Sequence, residues 1–378
     1  MSRLNELIQK LCPDGVEFKK LSMLCDLSRG KVYSKTYIAE NPGIYPVYSS
    51  QTENNGELGR ISTYDYDGEY LTWTTDGAYA GTIFHRKGKF SITNVCGLIS
   101  IKSPNILIRF LYYWLSIKAK DYVYSGMGNP KLMSNQIAPV KIPIPPLDVQ
   151  NEIVRILDTF TSHAAELQAE LQAELQARKE QYEYYRNKLL KFDKDDESVK
   201  WVKLKEYTEI GTGSSNTQDE LSIGLYPFFV RSQIVRRNNE YEFDETAIIT
   251  SGDGVGVGKI FHYVEGKYAL HQRAYRIHVL NEKIIPKFLF HYMRCEFYNY
   301  ITKNAYTSSV TSIRKPMLLN FPIPILSMSE QQRIVSILDK FEALVNDLTE
   351  GLPAEIAAVQ EQYEYYRNKL LSFPKIKE

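Results

Sequence analysis

The second half of the chain repeats the first. The ten residues QYEYYRNKLL at 181–190 recur unchanged at 362–371, 181 residues later. Ten consecutive identities at that distance mean that one unit occurs twice, which constrains the fold more than any local motif does. The register extends upstream. QNEIVRILDTF at 150–160 aligns with QQRIVSILDKF at 331–341, again 181 apart. Pro143-Ile-Pro145 aligns with Pro322-Ile-Pro324, and Val16-Glu-Phe-Lys-Lys-Leu21 with Val199-Lys-Trp-Val-Lys-Leu204. Between these anchors the halves diverge. A chain with two constant segments and two variable domains does one job twice, on two different targets.

Charge follows the same division. The net charge of the 378 residues is +1. Residues 151–197 carry seven Lys/Arg against eleven Asp/Glu, and 331–378 carry six against eight. The variable domains therefore hold the basic excess, which permits binding to DNA. The four cysteines, Cys12, Cys25, Cys96 and Cys295, lie far apart without CxxC spacing, against zinc and against a disulfide framework. Neither a signal peptide nor an apolar run of transmembrane length is visible, so a cytoplasmic protein is expected.

The constant segments read as long helices. Ile153, Leu157, Phe160, Ala164, Leu167, Leu171, Leu175, Tyr182, Tyr185 and Leu189 form a stripe with steps of three and four. The same frame shifted by 181 is apolar or aromatic throughout, giving coiled-coil periodicity with a four-residue stutter at Leu171→Leu175. Ser329-Glu-Gln-Gln332 reads as a capping box, and Asp148 as the cap of the first helix. Gly351 and Pro353 are expected to weaken or kink the second helix near its middle. The first contains three Ala-Glu-Leu-Gln units from Ala165, a rigid spacer adding about 6 Å per unit.

The variable domains read as mixed α/β. Segments 45–50, 70–74, 81–85, 247–250 and 259–263 suit short strands between Gly and Asp turns. Each domain has one helical run, 106–122 and 285–301, whose aromatics suit a core. Asp76-Gly-Ala-Tyr-Ala-Gly-Thr-Ile-Phe-His85 aligns with Asp253-Gly-Val-Gly-Val-Gly-Lys-Ile-Phe-His262. Polar side chains cluster beside a second match, 45–51 with 226–233. They are Gln51, Asn54, Asn55 and Arg60 in the first domain, and Arg231, Gln233, Arg236, Arg237, Asn238 and Asn239 in the second. Arg, Asn and Gln read guanine and adenine edges bidentately in the major groove, while lysines and amides serve phosphates.

Catalytic motifs fail. Gly252-x-Gly254-x-Gly256-x-Gly258 precedes a strand-like segment where a dinucleotide loop needs a helix, so these are turn glycines. GxxxxGK[ST] does not occur. Pro13-Asp14 and Glu17-Phe-Lys19 lie too close together for a metal-dependent nuclease site. Asn41-Pro-Gly-Ile and Asn129-Pro-Lys-Leu are not an amino-methyltransferase tetrapeptide, and the histidines show no metal-ligand spacing. No catalytic role and no metal are expected. A self-sufficient DNA methyltransferase or nuclease, and a coiled-coil scaffold that binds only protein, are the alternative readings.

The chain resembles the specificity (S) subunit of type I restriction–modification systems. The resemblance covers essentially the whole chain. It is carried by Cys12-Pro-Asp-Gly-Val-Glu-Phe18, residues 45–56, residues 253–262 with His271-Gln272-Arg273, the Pro-Ile-Pro entries, the Ala-Glu-Leu-Gln spacer and the QYEYYRNKLL exits. It adds Gln272 and Arg273 to the DNA-binding candidates. It implies two similar target-recognition domains related by a pseudo-twofold internal repeat, separated by two long constant helices in an antiparallel coiled coil. The boundaries are then 1–146 and 199–327 for the domains, 147–192 and 328–373 for the helices, 193–198 for a linker and 374–378 for a tail. It also implies a bipartite double-stranded DNA site, two methylation subunits supplying S-adenosylmethionine chemistry, and restriction subunits using ATP and Mg. This chain itself is expected to bind no cofactor.

Overall fold

The computed structural model describes residues 3–376, except Met127, Lys194, Asp195, Ser198, Val255, 304–311 and 347–350. The chain divides into two compact units. Met1–Gln168 with Ala358–Glu378 form the first, and Ala169–Ala357 the second.

In the first unit, six strands form one sheet: β1 (Cys25–Arg29), β2 (Pro42–Tyr48), β3 (Glu57–Ile61), β4 (Tyr66–Thr74), β5 (Ile83–Ile92) and β6 (Cys96–Ile101), in the order β1-β6-β4-β5-β2-β3. All pairs are antiparallel except β2 with β5, where Val47 faces Ser91. Helix α1 (Ile108–Lys118) covers the sheet, and helix α2 (Leu147–Leu190) begins beside it. Leu71, Trp73 and Ile99 of the sheet, Phe110, Leu111 and Leu115 of α1, and Val149, Ile153 and Leu157 of α2 make one core. Burial of this apolar surface is what fixes the helices on the sheet. The C-terminal segment closes the unit, since Val16 N–H donates to Pro374 O at 3.0 Å.

The second unit repeats the strand order in pieces. One sheet runs β7 (Thr208–Thr212), β14 (Ala274–Val279), β11 (Ala247–Ser251), β12 (Phe261–Val264). The other runs β9 (Arg236–Asn238), β8 (Tyr226–Phe229), β13 (Lys267–Leu270), β10 (Phe243–Asp244). The long β5 of the first unit corresponds to β12 and β13, separated by Glu265 and Gly266, and β4 corresponds to β10 and β11. The parallel pair recurs, with Phe228 facing Ala269. Helix α3 (Pro286–Lys303) and helix α4 (Met328–Asn346) complete the core through Phe288, Leu289, Met293, Ile334 and Leu338. The aromatics of α1 and α3 are core, as their composition implies: Phe110, Tyr113, Trp114, Phe288 and Tyr292 are all buried.

Several local expectations are corrected. The antiparallel pairing of the constant helices holds as expected, but parts of the α2 stripe also serve the domain cores, Ile153 and Leu157 in the first unit and Tyr182 in the second. The middle of α2 pairs with a second helix inside each unit. Helix α5 (Leu352–Leu370) lies antiparallel to α2 in the first unit: Phe160 meets Tyr366 at 6.1 Å between ring centroids, and Gln168 donates to Gln360 at 3.1 Å. In the second, Tyr185 stacks on Phe341 of α4 at 5.7 Å. Ser329 is not the cap of α4. The helix starts at Met328, so the hydroxyl of Ser327 accepts from Glu330 N–H. Asp148 likewise sits inside the first turn of α2, where its charge suits the positive helix end. The expected weakening near Gly351 and Pro353 is borne out: Gly351 lies outside the helices and α5 starts at Leu352, with Pro353 in its first turn, where its missing N–H costs nothing.

Candidate nucleic-acid interface

In the first unit the candidate side chains surround the β2–β3 connection, and the structure gives several of them local work. Asn54 and Asn55 have φ of 47° and 53°. That left-handed backbone favours Asn, so a turn requirement explains these residues independently of any base contact. Gln51 donates its amide to Glu57 O, and Arg60 grips the Glu57 carboxylate at 2.8 and 3.1 Å. Behind the turn sits Arg86, almost fully buried, which composition gave no reason to single out. Its guanidinium lies 3.6 Å over the Tyr48 ring and donates to Asn55 O at 2.8 Å and Thr72 Oγ1 at 3.3 Å. Burial lowers its affinity for the proton.

In the second unit the structure gathers Arg231, Gln233 and Arg236 around one concavity with Glu220 and Asp253. Arg231 and Arg273 both reach Asp253, at 2.6 and 3.4 Å, from opposite oxygens. Gln272 donates to Asn216 Oδ1, and Arg236 pairs with Glu220 at 2.9 Å. His271 lies buried beside these arginines, and its pKa is lowered by burial first and then by Arg231 and Arg273. The run 237–239 behaves differently. Arg237 pairs through its backbone with Pro227 in the β8–β9 hairpin, while Asn238 and Asn239 use their side-chain oxygens on Glu240 N–H and Leu225 N–H. Those two oxygens shape the hairpin. The glycine run ends in β12 rather than in a helix, with Gly254 and Gly258 at φ of 88° and 71°, as turn glycines require.

Sequence reasoning missed how each domain is clasped to the helices. Gln150 and Gln331 are fully buried at equivalent places in α2 and α4. Gln150 accepts from Leu107 N–H at 2.9 Å and donates to Asn105 O and Pro145 O at 2.8 and 2.7 Å. Gln331 accepts from Ile285 N–H at 2.8 Å and donates to Lys283 O and Leu326 O at 2.9 and 3.0 Å. Eight residues, about two turns, further on, Asp158 receives Arg109 and Tyr113, and Asp339 receives His291 and Lys287. The available signal was the recurrence of Gln and Asp at the same two places of the duplicated segment. Histidine spacing also gave no hint that His291, Asp339 and Glu342 converge within 4.8 Å. Both carboxylates already have cationic neighbours, Lys287 at 3.9 Å from Asp339 and Arg294 at 2.7 Å from Glu342, so the group serves as a clasp.

Two α/β domains of one strand order, presenting different Arg, Gln and Asn side chains from equivalent loops, define a duplicated recognition protein. Residues 13–177 and 196–358 match the family described as type I restriction modification DNA specificity domain. The chain belongs to that family, and carries its specificity domain twice. It is 32% identical over 370 residues to the type I specificity subunit S.MpnORF507P of Mycoplasma pneumoniae, spanning 94% of this chain and 97% of that one. With S.MpnORF89P of the same organism it shares 34% over 333 residues, 84% of this chain and 97% of the other. The fold is shared with the S subunit of a type I restriction–modification system from M. genitalium, at TM-score 0.52 and 15% identity over 96% and 97% of the two chains. It is shared also with HsdS of Thermoanaerobacter tengcongensis, at TM-score 0.56 and 14% identity over 96% and 97%. Among the described residues no helix is long and apolar enough to cross a membrane.

Proposed function

We propose that this chain reads a bipartite double-stranded DNA sequence, one half-site per specificity domain, for a type I restriction–modification complex. The observation that carries the reading is the contrast between the two copies. The strand order, the buried glutamine clasp and the QYEYYRNKLL segment recur, while the side chains on the equivalent loops change. A constant frame with variable loops suits one partner chemistry aimed at two base sequences. The chain contributes no catalytic group. Methylation subunits dock on the constant helices and bring S-adenosylmethionine chemistry, and restriction subunits add ATP- and Mg-dependent cleavage.

The test is to map methylated adenines in the source cell, then replace residues 199–327 with the equivalent segment of another family member. A split methylation motif is expected, with one half changed by the exchange and the other kept. An undivided motif, or a change in both halves, refutes the reading.

A further inference from the structure

Asp76 and Asp253 occupy the same place in the two domains. Each lies two residues beyond the end of a central strand, β4 or β11. Each is followed by a glycine of positive φ, 94° at Gly77 and 88° at Gly254, whose Cβ position is open space, so the backbone alone demands glycine. Each forms an isolated antiparallel bridge to the segment after the domain's helix, Asp76 with Lys131 and Asp253 with Ser312. Both side chains are about a quarter exposed, and each carboxylate faces two cations. Arg231 and Arg273 lie 2.6 and 3.4 Å from Asp253, and Arg29 and Lys131 lie 3.9 and 4.0 Å from Asp76.

The cations are not equivalent. Arg29 ends β1, where the second domain has Thr212 at the end of β7, and Ser312 stands at the place of Lys131. Conversely, the turn holding Arg273 matches the turn holding Val95, and no arginine occurs at 49–51 to match Arg231. The carboxylate recurs while its partners are rebuilt from other positions. A merely structural ion pair has no reason to keep one member and exchange both others.

We infer that Asp76 and Asp253 are positioning residues, each the acidic half of a charge clamp that restrains two cations of its domain from binding phosphate indiscriminately and presents them to the bases of one half-site. This rests on the DNA reading proposed above. Two cations and one carboxylate leave a local charge of +1, so the site attracts any duplex more weakly than free cations would. The carboxylate repels phosphate but occupies only part of a guanidinium, whose remaining donors stay available to base edges. Held guanidiniums also lose less conformational freedom on binding.

The experiment uses the full chain assembled with the methylation subunits of its own source. Fluorescence anisotropy measures binding to three duplexes: the site found by methylation mapping, that site with the second domain's half scrambled, and a duplex with neither half. For Asp253→Asn, the duplex with neither half should bind about three- to tenfold more tightly near 0.1 M KCl, and the log–log salt slope should steepen by about one. Discrimination against the scrambled half should fall about tenfold, from loss of roughly one aimed bidentate contact. Discrimination at the first domain's half should stay. Asp253→Glu, which keeps the charge, should hold the affinity for the duplex with neither half at its original level. Asp76→Asn should give the mirror result at the first half-site, and decides the matter alone if Asp253→Asn does not assemble. Lost discrimination without tighter binding to the duplex with neither half overturns the clamp and makes the aspartate a base contact or a purely structural group. Unchanged behaviour in both asparagine variants also overturns it. An unsubstituted complex that cannot distinguish the three duplexes refutes instead the DNA reading beneath it.

Discussion

Replacing Gln150 with Leu isolates what the buried clasp contributes. Leucine nearly matches glutamine in volume, so little cavity forms and the loss is chiefly polar. Three backbone partners are orphaned: Leu107 N–H, Asn105 O and Pro145 O. The bond to Pro145 O is buried and the other two partly so, which puts the first near the top and the others near the bottom of the usual 1–3 kcal/mol for an unsatisfied group. The sum is about 5 kcal/mol. For a unit of this size that corresponds to a fall of roughly 10 °C in the melting transition. Gln331→Leu orphans Ile285 N–H, Lys283 O and Leu326 O, and should cost a similar amount in the other unit. Differential scanning calorimetry of the two single variants and the double variant measures this. The two costs should add, since the residues share no partner. A loss below about 1 kcal/mol in either single variant would refute the claim that the duplicated glutamine joins each domain to its helix.

Three further outcomes follow from the geometry. The pKa values of His262, His271 and His291 are all lowered, with burial the largest cause, so the folded second unit holds these rings neutral. Unfolding takes up protons below the ordinary value of 6.5; their contribution to stability is therefore complete above that pH and is lost as pH falls through the lower folded values. Melting scans from pH 7.5 to 5.5 should show that loss, and a variant His291→Asn with the same pH slope would contradict it. Arg86→Met should destabilise the first unit by about 1–3 kcal/mol and weaken discrimination at the first half-site alone, because the Asn54–Asn55 turn loses its anchor; methylation profiling with calorimetry checks both. Deleting residues 169–172 removes one Ala-Glu-Leu-Gln unit and about 6 Å of helix, with a rotation of about 40°. The preferred gap between half-sites should shrink by one or two base pairs, and an unchanged gap in the methylation map would refute the spacer role.

The sequence by itself determined that one unit occurs twice, because ten identities at 362–371 need no structure to interpret. It also determined the helices and the aromatic cores, since helical periodicity and burial of large rings are set by spacing along the chain. The five strand segments it singled out each overlap a strand, β2, β4, β5, β11 and β12, and the glycine run was legible as turns. What it left open depended on groups distant in sequence. The ends of the α2 stripe belong to domain cores because Ile153 and Leu157 meet α1 and the sheet, which no heptad pattern encodes. The cap of α4 moved to Ser327 because its helix begins two residues earlier than the capping-box pattern suggests, and a box is only a local preference. Asn54, Asn55, Asn238 and Asn239 carry the residue types of base readers, yet backbone conformation and hairpin hydrogen bonds already account for them. Arg231 and Arg273 stand 42 residues apart in sequence, and only tertiary folding places both on Asp253. Electrostatic attraction depends on distance in space rather than along the chain, so the charge clamp became visible only when strand pairing brought those loops together.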